Sequence, residues 1–390
     1  MSAPSDARQV LDRRLGMLWF AASDTVIGPA VEAAGIWEPS EGLWLDTHVG
    51  PGMTVVNVGA NVGYFALWAA DLVGPHGHVV AVEPYPENVA LLRANIADRN
   101  LTHVEVCEAA ASSGDGRIEL FVNDDNAGDH RVFDPAAAAT VDPGLERASR
   151  GFREAPSRLT VRSVTVDSLV AERRIDVLFV DTQGHDHEVI AGARSVLRRD
   201  RPIVLTEFTP AWIRAQGADP AEVLAGYRAL GYRVGVWDAG AAPGDWPDHR
   251  IVEWASVPGR WFTNLELWPK ERALPPRVQP GTGFWTVERS ETDDLYWLTS
   301  PQGGITLTGP PDTVAQLQFT AVCPPGRRRV RLVVADHHVV IRGSRLIRTQ
   351  VRLDRAGRAE VALRTRDDAV QVPGDPRDLY MAMRNPTVQS

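Results

Sequence analysis

Between residues 53 and 270, short apolar runs alternate with stretches that are apolar at helical spacing; beyond 270 the helical spacing disappears. The run 54–58, T-V-V-N-V, is apolar almost throughout, which predicts a strand buried on both faces. A Gly-rich turn follows at 59–63, then a helix over 64–72 and a second strand over 78–82. Val89, Leu91, Leu92 and Ile96 share one side of a helix over 87–100, and a third strand follows at 103–107. A strand at 118–122, reached through Gly114-Asp115-Gly116, reads as a hairpin partner, and 159–166 as an edge or connecting strand. Further strands fall at 175–180, 202–206, 232–237 and 261–267, with a helix at 220–230 and a loop between 237 and 261. This alternation is that of a doubly wound α/β sheet.

Ahead of the first strand, residues 1–50 read as an N-terminal helical extension, although 11–20, with Leu15, Leu18, Trp19 and Phe20 to bury, fits a helix or a strand equally. Trp37, Glu38, Trp44 and Leu45 suggest a helix just before the sheet. The domain unit proper is 51–269. Residues 270–282, rich in Pro, Arg and Gly, have a linker composition. From 283 to 390, alternating runs at 305–308, 330–334, 338–341, 349–353 and 359–363 predict a small all-β sandwich or jelly roll. Its aromatics Trp285, Tyr296 and Trp297 either fill a core or stack on sugar rings.

The chemistry gathers where strands end. A strand that turns through glycine into a helix sets backbone N–H groups against a ligand. The spacing here, G-x-N-x-G-Y, is not the G-x-G-x-x-G of nicotinamide binders, and Asn57 lies two positions before Gly59. Glu83 and Pro84 close the second strand, where nucleoside-binding sheets grip a ribose diol. Ala109 and Ala110 follow the third strand and are small enough to admit a flat base. The fourth strand opens into D-T-Q-G-H-D-H-E-V-I-A-G-A, 181–193, and the next ends on Glu207.

The string V-V-N-V-G-A-N-V-G-Y-F, continued by V-V-A-V-E-P-Y-P-E-N-V, closely resembles the FkbM-type family of S-adenosylmethionine-dependent methyltransferases. The resemblance runs over residues 15–270, with L-D-S-L-like 167–169, a D-x-x-G-like 181–184 and a closing strand at 264–269. Asn57 stands where members usually carry Asp, and Asp186 where Glu is usual. The resemblance implies a Rossmann-like methyltransferase sheet, S-adenosyl-L-methionine as cofactor, and methyl transfer to a hydroxyl of a sugar or a polyketide- or peptide-derived product. Carried onto this chain, it implies a cofactor site of Asn57, Gly59, Ala60, Asn61, Gly63, Tyr64, Glu83, Pro84, Ala109, Ala110 and Asp181. The segment D-N-A-G-D-H-R-V, 125–132, resembles one that reaches over the active site in some members, within a long polar stretch, 123–157.

A hydroxyl is a poor nucleophile until its proton leaves, so a base is expected beside the acceptor. His130, on that segment, is the first candidate because an imidazole titrates near neutral pH, His185 is the fallback, and the strand-end carboxylates Asp186 and Glu207 are better suited to orienting the acceptor. Asp181, Asp186 and Glu207 could offer oxygen ligands to Mg²⁺, but carboxylates at sheet ends also cap helices and hold loops, and no metal is expected. No Cys/His cluster has zinc spacing.

Composition narrows the partners. A formal net charge of −9 argues against nucleic acid or an anionic membrane, which need a basic face. Two cysteines, in what read as separate domains, fit a reducing cytoplasm, and no run of 18 apolar residues predicts a membrane span. The expected partner is a small-molecule or glycosylated acceptor, with homo-oligomerisation left open. Two other classes stand beside this one: a nicotinamide oxidoreductase, opposed by G-A-N-V-G-Y, and a non-catalytic carbohydrate-binding protein on a methyltransferase-like fold, made conceivable by Asn57 and Asp186.

Overall fold

The chain enters the fold through a hairpin. In the computed structural model, β1 (Ala7–Asp12) and β2 (Gly16–Ala21) pair antiparallel, and α1 (Ile27–Ala34) and α2 (Pro39–His48) follow. The helical extension expected over 1–50 therefore begins only at residue 27. Val10, Leu18 and Phe20 are buried at alternate positions, which a two-residue period explains and a helix does not. The structure describes residues 6–123, 126–135, 157–237, 245–257, 262–272, 277–280, 288–289, 294–309, 312–334, 337–355, 358–365, 367–371 and 378–389. The described residues up to Lys270 form one compact unit and those from Glu271 a second.

Within the first unit the expected alternation is present. β3 (Thr54–Val58), α3 (Tyr64–Val73), β4 (His78–Glu83), α4 (Pro86–Asp98) and β5 (Val104–Glu108) make the first half of the winding. Next, β6 (Ala110–Ala111), β7 (Gly116–Phe121) and β8 (Arg158–Val164) form a small separate sheet, followed by α5 (Val166–Val170). The second half is β9 (Val177–Val180), α6 (Asp186–Ala191), α7 (Arg194–Arg199), β10 (Ile203–Phe208), α8 (Pro210–Ala215), α9 (Pro220–Ala229), β11 (Tyr232–Val236), α10 (Asp248–Ala255) and β12 (Thr263–Pro269).

The central sheet runs β11-β12-β10-β9-β3-β4-β5, with β12 antiparallel to both its neighbours and the other pairings parallel. Its middle strands are almost wholly buried because helices cover both faces, which is why they read as continuous apolar runs. The order reverses between β3 and β9, and such a switch point opens a crevice beyond the carboxyl ends of the strands.

Three expectations are corrected. β7 does not turn back on β5: its partner is β8, because Leu120 and Ile118 find apolar neighbours in Leu159 and Val161. β8 is accordingly the middle strand of its sheet, not an edge. The stretch expected as a loop between 237 and 261 contains α10, whose only buried positions, Ile251 and Ala255, give too thin a stripe to be seen as a period. The Ala136–Ala139 run and residues 142–153 lie outside the described residues.

The second unit is an all-antiparallel sandwich. One sheet has the order Arg277–Pro280, Gln302–Thr308, Arg358–Thr365, Val330–Val334, His337–Ile341; the other has Glu288–Arg289, Asp294–Leu298, Met381–Gln389, Val314–Val322, Ser344–Arg352. Leu307, Leu332 and Leu363 from the first meet Leu317, Phe319 and Met383 from the second in one core. The expected linker, 270–282, thus supplies a strand, since Arg277–Pro280 pairs with Gln302–Thr308. Trp285 and the side chains of Tyr296 and Trp297 lie outside the described residues.

Candidate active site

The turn after β3 is shaped by how close it comes to the neighbouring strand. Gly59 has φ +79, and a Cβ there would stand 1.7 Å from the carbonyl oxygen of Asp181, so only glycine fits. The backbone N–H groups of Gly59 and Ala60 are bonded to Val82 O, and Asn61, at φ 50, donates its N–H to Glu83 Oε2 at 2.8 Å. Glu83 Oε1 accepts from Tyr85 N at 3.0 Å and from Asn88 Nδ2 at 3.4 Å. Glu83 therefore ties together the turns after β3 and β4. Burial raises its carboxyl to about 7 despite these donors.

The N-terminal segment is anchored to the same turn. Tyr64 donates its hydroxyl to Asp12 Oδ2 at 2.6 Å and accepts from Trp37 N at 3.0 Å. Asn95 donates to Trp19 O at 3.1 Å and to Val62 O at 2.8 Å, and accepts from Trp19 N at 2.7 Å. This places Trp37 and Glu38 over the carboxyl ends of the strands.

A cavity of about 320 Å³ opens there. At its β3–β5 end it is lined by Gly59, Ala60, Asn61, Tyr64, Glu83, Pro84, Asn88 and the small, buried Ala109 and Ala110. At its β9–β10 end stand Asp181, Thr182, Gln183, His185 and Glu207, with Trp37, Glu38, Trp212 and Phe262. Asn126, Ala127, Gly128, His130 and Val132 form a further wall. Among the described residues the cavity lining contains no lysine or arginine.

Three residues expected in the site are not on this lining. Asn57 is buried below the turn, and neither its Oδ1 nor its Nδ2 has a hydrogen-bond partner among the described residues. Gly63, at φ +97, packs on Leu92 and starts α3. Asp186 accepts from Gly184 N at 3.2 Å and Thr182 Oγ1 at 3.1 Å, so its carboxylate shapes the turn leading into α6. Trp37, Glu38, Asn88, Trp212 and Phe262 were not assigned to the site from sequence; large aromatics signal packing before anything else, and nothing local to these residues separates the two uses.

The strap carrying His130 is pinned from beneath. Arg131, fully buried, forks onto Asp129 at 2.7 and 2.9 Å and lies over the Trp212 ring at 4.1 Å, while Asn123 Nδ2 also reaches Asp129, at 3.1 Å. His130 packs on Tyr85, ring centroids 4.1 Å apart, and its Nδ1 accepts from Asn123 N at 3.1 Å. A backbone N–H can only donate, so the neutral ring carries its proton on Nε2.

His185 is fixed in the opposite tautomer. Gln216 Nε2 donates to Gly184 O and Trp212 O, which leaves Gln216 Oε1 to accept from His185 Nδ1 at 3.2 Å. His185 Nε2 then accepts from Ser112 Oγ at 2.9 Å. Burial lowers His185 to about 4, so it is neutral at pH 7.

The carboxylates differ in kind. Asp181 is bonded to Gln183 Nε2 at 2.7 Å and Glu207 to Thr209 Oγ1 at 2.7 Å, both neutral donors. Burial first, and then Asp181 and Asp186 nearby, push Glu207 well above the ordinary carboxylate range. Burial likewise raises Asp181, and burial with the charge of Asp181 raises Asp186. Among the described residues no group of three or more His, Cys, Asp or Glu side chains is placed to hold a metal ion, and no helix is long and apolar enough to cross a membrane.

Comparisons with known proteins bear on this arrangement. The chain is 33% identical over 127 residues to a protein-L-isoaspartate O-methyltransferase of Methanothrix thermoacetophila, covering 32% of this chain and 55% of that protein. It is 25% identical over 185 residues to the 2-O-methyltransferase NoeI of Sinorhizobium fredii, covering 45% of this chain and 74% of that one. The chain thus spans about half the length of the first of these relatives. A crystal structure of methyltransferase FkbM from Methylobacillus flagellatus aligns over 58% of this chain and 50% of its own, at 12% identity and a TM-score of 0.33. Residues 57–234 match the Methyltransferase FkbM domain, from Asn57 in β3 to Val234 in β11.

Proposed function

We propose that this protein is an S-adenosylmethionine-dependent O-methyltransferase whose acceptor is a hydroxyl of a sugar or of a polyketide- or peptide-derived product. The observation that carries the reading is a single cavity with two chemically distinct ends, one at the β3 turn and Glu83, the other at Asp181 and Glu207. The first end fits the cofactor. The Gly59 turn has no room for a side chain, and Asn88 Oδ1, buried beside Glu83, has no hydrogen-bond partner among the described residues. Glu83 would take the ribose hydroxyls, Ala109 and Ala110 would flank the base, and the Gly59–Tyr64 turn with Asp181 would hold the amino-acid portion. When bound, the sulfonium supplies an electrophilic methyl.

The second end would hold the acceptor. Carboxylates there accept hydrogen bonds from hydroxyls, and Trp37, Trp212 and Phe262 offer apolar faces to a ring. The relatives' activities as O-methyltransferases support oxygen as the atom methylated. What the chain contributes is orientation: a bound oxygen held in line with the methyl gains up to about 7–11 kcal/mol from proximity in ideal cases.

The test is calorimetric titration with S-adenosylhomocysteine and with NAD, followed by incubation with methyl-labelled cofactor and a panel of methyl glycosides. Binding of the first ligand alone, weakened by about 2–3 kcal/mol in Glu83→Ala, and label transferred to a glycoside oxygen are expected. NAD binding, or unaltered affinity in Glu83→Ala, refutes the reading.

A further inference from the structure

We propose that Glu207 takes the proton from the acceptor hydroxyl, and that His130 serves as a hydrogen-bond donor to the acceptor rather than as the base. This rests on the O-methyl transfer reading. The argument is one of elimination among groups that face the cavity. Imidazole is the usual choice for a base near neutral pH, and two imidazoles line this cavity. Neither is in the tautomer the task requires. The lone pair of neutral His130 is on Nδ1 and is used by the N–H of Asn123, so Nε2 carries the hydrogen. The lone pair of His185 is on Nε2 and is used by Ser112, while its hydrogen is used by Gln216. A backbone amide and an anchored glutamine amide cannot reverse roles, so both assignments are fixed by the surrounding chain.

Three carboxylates at the β9–β10 end remain, Glu38, Asp181 and Glu207, and Glu38 belongs to the N-terminal segment, at the cap of α2, not to a strand end of the sheet. Asp181 stands at the end of β9, against the Gly59 turn, on the side proposed for the cofactor. Glu207 is in β10, one strand farther from β3, and is the strand-end carboxylate on the acceptor side. Its bonded side-chain neighbour is Thr209 Oγ1, on one oxygen, and the charged groups that bear on it are Asp181, Asp186 and Glu38. Among the described residues lining the cavity there is no lysine or arginine, and with burial and these negative neighbours the carboxylate binds a proton more readily than one in water would. That is the property a base for a hydroxyl needs.

The balance of the step is simple. The acceptor oxygen forms a bond to the methyl carbon, and the carbon–sulfur pair stays on sulfur, which becomes a neutral thioether. The hydroxyl proton passes to Glu207, which releases it to solvent once the product leaves. At low pH Glu207 is already protonated and cannot accept, so the rate falls as pH drops through its raised pKa.

Two measurements test this. The first needs no acceptor: ¹⁵N shifts of the two imidazoles in the full-length protein at pH 8, with ¹³C titration of glutamate carboxyls assigned through Glu207→Gln. Nε2–H on His130, Nδ1–H on His185 and a Glu207 midpoint above the ordinary range support the proposal. Nδ1–H on His130 overturns it. The second is turnover of methyl-labelled cofactor with whichever methyl glycoside the wild type accepts. Glu207→Gln should lower it by about 10²–10⁴-fold with S-adenosylhomocysteine affinity retained, whereas His130→Gln, which keeps a donor, should fall less and retain the acidic limb of the pH profile. Loss of that limb in His130→Gln, or near-wild-type turnover in Glu207→Gln, assigns the proton elsewhere. Transfer to no glycoside by the wild type refutes the sugar-acceptor branch of the O-methylation reading, and the NMR result stands apart from it.

Discussion

The two ends of the cavity are built in opposite ways. At the β3–β5 end the walls are drawn mostly from residues 58–111, the turn after β3 and the small Ala109 and Ala110 among them, and the one carboxylate, Glu83, is satisfied by the N–H groups of the turns it joins. At the β9–β10 end the walls are side chains from the N-terminal helices, the 126–132 strap, three strand ends and α8, and Asp181 and Glu207 are hydrogen-bonded to neutral donors. One end is organised by turn geometry and the other by unrelieved charge. On the function proposed above, the first would hold a constant ligand and the second would leave acceptor choice to segments that can change without disturbing the sheet.

The contrast can be broken most severely at Gly59. Gly59→Ala puts a methyl group against the Asp181 backbone at φ +79, and a loss of about 4 kcal/mol in stability is expected from strain and displacement together. Urea denaturation measures it. A loss under about 1 kcal/mol would mean the turn is not held by β9.

A smaller effect probes the other end through pH. The unfolded chain's imidazole at 185 binds a proton near pH 6.5, whereas the folded one waits until about 4. Stability contributed by this burial is present above pH 6.5 and is lost as pH falls toward 4, about 3 kcal/mol across that window. The difference in unfolding free energy between wild type and His185→Gln should follow that curve. A flat difference would place His185 in water.

The smallest effect sharpens the comparison directly. Glu207→Gln removes one of several crowded negative charges and should stabilise the protein at pH 8 by about 0.5–2 kcal/mol, as changes at strained functional positions commonly do. The gain should shrink at acidic pH, where the wild-type carboxyl is protonated. Glu83→Gln should destabilise instead, because an amide cannot accept on both sides. Melting temperatures of the pair at pH 5 and 8 decide it; equal signs at pH 8 would remove the distinction between the ends.

The same division decided what could be read from sequence. β3, α3, β4 and the Glu83 position are legible because the turn and the candidate cofactor residues there lie within about 25 consecutive residues of strong periodicity. β1 and β2 were left undecided because Leu15, Leu18, Trp19 and Phe20 satisfy two periods at once. The partner of β7 is not legible in sequence because a pairing across the 123–157 stretch leaves no local trace. His130 and His185 were visible as candidates, yet their tautomers depend on Asn123, Ser112 and Gln216, and a linear pattern does not indicate which ring nitrogen meets which group.

The placement of β12 has a consequence for synthesis. β12 sits between β10 and β11, so until residue 263 leaves the ribosome β10 has a bare edge and β11 has no neighbour in the sheet. A nascent chain carrying the whole 57–234 segment still exposes a hydrophobic strand edge, open to pairing with another such chain. The interval between residues 236 and 263 is thus when misassembly is most favoured, and a fragment cut at the family boundary would retain that edge permanently.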